Sequence, residues 1–401
     1  MGWRTTTAMD QRVQFIGDWL RGRYRKAELC LAYGISRPTG DKWIQRYERE
    51  GLDGLKERSR APHSHPARVT GAIQERIIET KLRHQAWGPK KVMDWLRRND
   101  GGQSWPVDST AGEILRRAGL VRPRRRRRRV PADPHPFGDC HEVNACWSAD
   151  FKGDFCLGDG QRCYPLTISD NYSRYVLMCR ALPQIPHDTV RPWFEWVFRE
   201  YGLPVAIRTD NGPPFASQAL GGLTRLSAWW IRLGIRPERI RPGQPAQNGR
   251  HERMHRTLGS GVYPIQKTVA AQQDQFDRWL AEYNWERSHE ALGRQTPGSV
   301  YRSSNRPYPL KLPAVEYGPG FVVRHVRHNG EIKWRGQLIY LSETLGQEPI
   351  GLKQVDQDRW EIYYSFHLLG QLDDRTSTIR VPDQWHGETK EKCKRCRRFK
   401  V

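Results

Sequence analysis

Residues 207–215 read IRTDNGPPF and residues 241–258 read RPGQPAQNGRHERMHRTL, and the fold turns on taking these two stretches together. Asp210 follows the apolar run Val205-Ala206-Ile207 and precedes Asn211-Gly212-Pro213-Pro214, which sets its carboxylate at a strand end where the backbone turns sharply. Strand ends of open sheets are where sites are built. Glu252 lies in a segment that begins after Pro245 and Gly249, keeps Met254 and Leu258 at helical spacing, and carries Arg250, Arg253 and Arg256 around the acid. A glutamate in such a helix ordinarily pairs with its own arginines in solvent. A third acid argues against that here. Asp150, in Trp147-Ser148-Ala149-Asp150-Phe151, sits inside an aromatic and apolar stretch that reads as a strand, where buried carboxylates are uncommon. Three acids on separate elements point to a metal site.

The blocks WSADFKGDF (147–155), RTDNGPPF (208–215) and NGRHERMHRTL (248–258) resemble the three acid-bearing blocks of the DDE transposases of bacterial insertion sequences, whose catalytic core is similar to that of retroviral integrases. The resemblance extends to the amino-terminal helix-turn-helix region and to YNWERSHEALGRQTP (283–297), so it covers most of the 401 residues. It implies Asp150, Asp210 and Glu252 as the catalytic acids. The gap between Asp210 and Glu252 is wider than in retroviral integrases, which calls for a longer helical insert and leaves the site unchanged.

With 67 Lys and Arg against 44 Asp and Glu, the formal charge is +23 and points to a polyanionic partner, double-stranded DNA first among them. An anionic membrane surface is the alternative, but no long uncharged apolar stretch is present and MGWRTTTAMDQR lacks the apolar region of a signal peptide. The expectation is a cytoplasmic, nucleoid-associated protein. The eight cysteines (30, 140, 146, 156, 163, 179, 393 and 396) follow no disulfide framework, and Cys393 and Cys396 alone have metal-ligand spacing, with no second pair to complete a tetrahedral site.

In chain order, a helix-turn-helix domain is expected over 1–56. Ser36 serves there as an N-cap before a helix with Trp43, Ile44 and Tyr47 on one face and Arg37, Thr39, Lys42 and Arg46 available to DNA. A basic linker (57–69) follows, whose His63 and His65 have no cysteine partners, and then a second helix-turn-helix-like domain (70–121). Residues 122–140 form a linker whose arginines Arg124, Arg125, Arg126, Arg127, Arg128 and Arg129 are too densely charged to pack and suit a phosphate backbone. Residues 141–305 read as three strands, helix, strand, helix, strand and helix, the order of an α/β ribonuclease H-like core with a mixed sheet. That order places Asp150 in the first strand and Asp210 at the end of the fourth. The reading has one strand over 147–157, a helix over 219–233, and helical structure over 266–301 in which the last block packs and docks. Alternation from residue 312 predicts a small all-β meander or barrel to about 385, with strands as far as 364, before a basic tail (386–401).

Three converging carboxylates repel unless cations sit between them, and hard oxygen ligands suit two Mg²⁺ or Mn²⁺ ions. Asp150 would bridge both ions, Asp210 and Glu252 would each hold one, and Arg253, His255 and Arg256 would meet phosphates. The expected activity is that of a transposase which binds the ends of its element as a homo-oligomer, cleaves there and joins 3′ ends to target DNA. A non-cutting DNA-binding regulator and a structure-directed nuclease on the same core are the alternatives.

Overall fold

The computed structural model describes residues 7–58, 69–121, 140–217, 219–240, 245–262 and 264–380. The Arg124 to Arg129 run, the His63 and His65 linker and the Cys393 and Cys396 tail therefore lie outside the described residues. The chain divides into two compact units, 1–69 and 70–401.

The first unit is helical: α1 (Ala8–Leu20), α2 (Lys26–Ala32), α3 (Arg37–Glu50) and a 3-10 turn (Gly51–Leu55). Thr7 and Asp10 close a reciprocal capping box at the start of α1. Phe15, Ile16, Leu29, Cys30, Trp43, Ile44 and Leu55 form its core. Gly40 lets the helices cross, because a Cβ there would stand 2.5 Å from Cys30 Sγ. Ser36 occupies the N-cap position of α3 and Pro38 its first turn, but the serine hydroxyl pairs with Thr39 Oγ1 at 2.9 Å and caps no amide.

The second unit opens with α4 (Gly71–Arg83), α5 (Pro89–Asn99) and α6 (Asp108–Arg117). A mixed sheet follows, built from β1 (Cys146–Phe151), β2 (Phe155–Cys156), β3 (Arg162–Asp170), β4 (Val176–Leu182), then α7 (His187–Tyr201), β5 (Ala206–Thr209), α8 (Arg225–Arg232) and β6 (Arg236–Arg239). β3 lies antiparallel between β4 and β1, while β1, β5 and β6 run parallel. That sheet order is the expected integrase-like core. The single strand expected over 147–157 is broken, with Gly153 at φ +85° in the gap between β1 and β2. The helix expected from 219 begins only at Arg225, because Gly221 and Gly222 both take positive φ and the α8 cap is Thr224.

Beyond the sheet come α9 (Gly249–Gly261), α10 (Val269–Ala281), a π-helical turn (Glu282–Glu286) and the short α11 (Pro297–Val300). The docking block 283–297 works as expected, and its contacts are specific. Asn284 donates to and accepts from the backbone of Val176 on β4, both at 2.9 Å. Ser288 and Arg294 bind Asp94 of α5, which ties α4 to α6 onto the core.

The carboxy-terminal strands are β7 (Phe321–His325), β8 (Glu331–Trp334), β9 (Gln337–Tyr340), β10 (Pro349–Asp356), β11 (Arg359–Tyr364), β12 (His367–Asp373) and β13 (Thr378–Arg380). They form a five-stranded antiparallel sheet and a β8–β9 hairpin; β12 and β13 add two strands after Tyr364, inside the span expected for the module. Helix α8 serves two cores. Leu226, Trp229 and Trp230 pack under the mixed sheet, whereas Ala228 and Ile231 join the β-module around Trp334, Ile350 and Ile362.

Candidate active site

Asp150 pairs with Thr167 across β1 and β3, so the two side chains share one face of the sheet, and Ser169 lies two residues further along that face. Helix α9 crosses there. Residues 251, 254, 255 and 258 recur at helical spacing, and all four are buried. Met254 and Leu258 enter the apolar cluster with Phe276 and Trp279. The two histidines instead meet hydroxyls: His251 Nε2 and His255 Nε2 lie 2.8 and 2.7 Å from Thr167 Oγ1, and His251 Nδ1 lies 2.8 Å from Ser169 Oγ. This lock sets the helix over β1 and leaves Glu252 exposed on its first turn.

The charges of Asp210 and Glu252 both act on Asp150, although among the described residues neither acid joins it in a group of ligand atoms close enough to share an ion. Burial pushes the Asp150 carboxyl up to about 7, and the charges of Asp210 and Glu252 add to the shift while the Phe151 amide and Lys152 oppose it. Asp210, one residue past β5, is also raised by burial, against a hydrogen bond from the Gly212 amide. His255 is held neutral, pushed down to about 3 by burial and by Lys152, and His251 is lowered well below its usual value by burial and by His255. The 3.9 Å approach of His255 Nδ1 to Asp150 Oδ2 is therefore no ion pair.

Among the described residues, Asp150, His251 and His255 have ligand atoms close enough to share an ion. Thr167, Ser169 and His251 were not foreseen, although the spacing 251, 254, 255, 258 already marks one helical face. His255, expected at phosphates beside Arg253 and Arg256, is turned inward by that same phase. Arg253 and Arg256 stay exposed. In the first unit Arg37 and Lys42 are exposed, Thr39 and Arg46 are half-buried, and Lys42 and Arg46 lie 4.6 and 5.1 Å from the Trp43 ring.

Glu238 corrects the sequence reading differently. It stands in β6 and not in a turn, opposite Arg208 in the register, with Arg208 Nη2 at 2.7 Å and Arg236 Nη2 at 2.9 Å. Burial would raise its carboxyl, but the two guanidiniums outweigh that and hold it below its usual value.

The chain matches the integrase core domain over residues 141–245 and again over 233–297, a homeodomain-like domain over 39–115 and a helix-turn-helix domain over 11–63. It is 26% identical over 309 residues to the insertion element IS476 uncharacterized 39.2 kDa protein of Xanthomonas euvesicatoria, covering 75% of this chain and 84% of that protein. It is 29% identical over 194 residues to the insertion element IS407 uncharacterized 31.7 kDa protein of Burkholderia multivorans, covering 46% of this chain and 65% of the relative. Among solved structures, the HTLV-2 integrase catalytic core domain in complex with magnesium aligns at a TM-score of 0.32 and 16% identity, over 40% of this chain and 99% of that one. The class defined by the domain matches and the insertion-element relatives is the bacterial insertion-sequence transposases with an integrase-like core. No helix among the described residues is long and apolar enough to cross a membrane.

Proposed function

We propose that this chain binds the ends of its mobile element, cleaves DNA there by metal-dependent phosphodiester hydrolysis, and joins the 3′ ends to target DNA by transesterification. The observation that carries this reading is the placement of Asp150 on β1 and of Asp210 one residue past the neighbouring parallel strand β5, under the helix that carries Glu252; burial and the charges of the other two acids raise the Asp150 carboxyl to about 7. A buried carboxylate whose proton affinity is raised by two others gains most from a divalent cation in place of that proton. The three donors are hard oxygens and fit Mg²⁺ or Mn²⁺. Asp150 would share two ions, with Asp210 and Glu252 holding one each. When bound, such ions activate a water or 3′-hydroxyl and stabilise the leaving oxygen of an in-line displacement.

The chain's own residues supply position. β1 and β5 are hydrogen-bonded neighbours, so Asp150 and Asp210 are carried by one rigid sheet, and the histidine lock holds α9, with Glu252 exposed on its first turn, over β1. Arg253 and Arg256, exposed on the same helix, orient phosphates. Arg37 and Lys42 on α3 belong to the DNA-binding surface that finds the element end. Two ends must be held together for joining, which calls for a dimer or larger assembly on DNA. Light scattering that finds only monomers on a paired-end complex removes that part of the proposal.

The test is a cleavage and joining assay on DNA flanking the coding sequence. Wild-type protein should cut and join in Mg²⁺, and Asp150→Asn should do neither while still binding ends. Cutting without joining would favour a nuclease; end binding with no cutting by the wild type would favour a regulator.

A further inference from the structure

Thr167 has one hydroxyl proton and three polar neighbours: the carbonyl oxygen of Asp150 at 3.0 Å, His251 Nε2 at 2.8 Å and His255 Nε2 at 2.7 Å. A carbonyl oxygen can only accept, so the hydroxyl donates to Asp150, and the two lone pairs of Oγ1 each receive an N–H from an imidazole. That proton count sets both tautomers. His251 carries its proton on Nε2 and accepts from Ser169 Oγ at Nδ1, so both of its ring nitrogens are engaged. His255 also carries its proton on Nε2. Its Nδ1 is left with a lone pair, and this atom lies 3.9 Å from Asp150 Oδ2.

When Asp150 is ionised, two lone pairs face each other and repel, and a cation between them turns the repulsion into coordination. The 3.9 Å span suits an ion roughly 2.0–2.2 Å from each donor. We propose that His255, through Nδ1, is a nitrogen ligand of the ion held by Asp150, and that Thr167 is the positioning residue that aims it. The proposal rests on reading Asp150 as a metal-holding carboxylate. It also explains the burial of His255 and the hydroxyl on its far nitrogen, since imidazole ligands characteristically donate their second N–H to an orienting acceptor. His251 fills the other lone pair of Thr167 and is not a ligand. An imidazole among carboxylates shifts the site from Mg²⁺ toward Mn²⁺ and its first-row neighbours.

The test is Mn²⁺ binding to the full-length protein without DNA, followed by pulsed electron paramagnetic resonance. The wild type should show nitrogen coupling of a bound imidazole, and labelling the histidines with ¹⁵N should convert that signal to the ¹⁵N pattern. His255→Gln should lose the coupling and His251→Gln should keep it. His255→Gln and Thr167→Val should each weaken Mn²⁺ binding about tenfold or more, with a smaller change for Mg²⁺. Mn²⁺ binding that is lost in Asp150→Asn but shows no histidine coupling in the wild type overturns the nitrogen ligand and leaves the carboxylate site standing. Coupling that survives His255→Gln and vanishes in His251→Gln overturns the assignment. Mn²⁺ binding indifferent to Asp150→Asn overturns the metal-holding reading beneath it. The isotope comparison uses unsubstituted protein, so it decides whether a histidine is a ligand even where a variant fails to fold, and its failure alone overturns the proposal.

Discussion

Glu238 and Glu252 both follow Asp210 in the chain, and their carboxylates stand in opposite electrostatic situations. Glu238 is neutralised by Arg208 and Arg236. Glu252 is exposed and adds to the charge that raises Asp150. Glu252→Gln is therefore expected to lower metal-dependent cleavage and joining by about 100-fold or more, the scale on which electrostatic groups at reacting phosphates act, with end binding largely intact. Glu238→Gln should stay active and lose stability instead. Purified Glu252→Gln cutting at near the wild-type rate in Mg²⁺, with Glu238→Gln inactive, would reverse the assignment. The three candidate acids stand out in the sequence because each lies inside a distinctive block. The Glu238 ion pairs were not, because they depend on the parallel register of β5 with β6, which places residue 208 opposite 238. His255 was half legible: its helical phase was readable, but a polar residue on an apolar face has no assigned partner until β3 is placed beneath it.

The element that joins the helices α4 to α6 to the core is the segment 282–296. Asp94 stands at the centre of the contact with a side chain only 10% exposed, accepting from Ser288 Oγ at 2.5 Å and pairing with Arg294 Nη2 at 2.7 Å. His84 meets Glu282 and Glu286 at 3.2 and 3.4 Å, and Arg294 also reaches Asp108 at 2.7 Å. Asp94→Ala leaves Arg294 with Asp108 but strands Ser288, and should cost about 1–3 kcal/mol. Hydrogen exchange should then rise in α5 and α6 more than in β1 and β3, and a double-mutant cycle with Ser288→Ala should show coupling of about 0.5–3 kcal/mol. Zero coupling would mean the two residues do not act together. That the segment docks was legible from its motif; its partner was not, since Asp94 and Ser288 are 194 positions apart and polar pairs leave no periodicity.

The same segment carries a pH dependence. His289, 5.0 Å from the Tyr283 ring, is pushed down to about 3 by burial and then by Lys91, Arg287 and Arg174. Above about pH 6.5 the imidazole is neutral in both folded and unfolded chains and contributes nothing. Below that, the unfolded chain takes a proton that the folded chain refuses until near pH 3, so stability is lost as pH falls through this window. The wild type should lose unfolding free energy faster than His289→Gln between pH 7 and 5, by on the order of 1–2 kcal/mol in urea titrations. A difference that does not change with pH would contradict the neutral assignment of this half-buried imidazole.

For the whole molecule, the charge of +23 states the class of partner, but the structure shows that many cations are already engaged. Arg12 binds Glu57 and lies 4.0 Å from the Trp43 ring, and Arg76 binds Asp100 and Glu79. Net charge alone therefore could not say which bases face DNA, and the arginine run lies outside the described residues. Arg37 and Lys42 on α3 are exposed, the former on the first turn where a recognition helix meets the groove. If both bind phosphates, replacing them with alanine should weaken binding to element ends and flatten the dependence of log K on log salt by about 0.9 for each phosphate no longer neutralised, roughly 2 for the pair. If either reads a base edge, affinity should fall more for element ends than for random duplex, with less change in slope. Titrations of the full chain and the double variant between about 50 and 200 mM salt, on both DNAs, separate the two modes. An unchanged slope together with unchanged discrimination would take α3 out of the interface and leave end recognition to other parts of the chain.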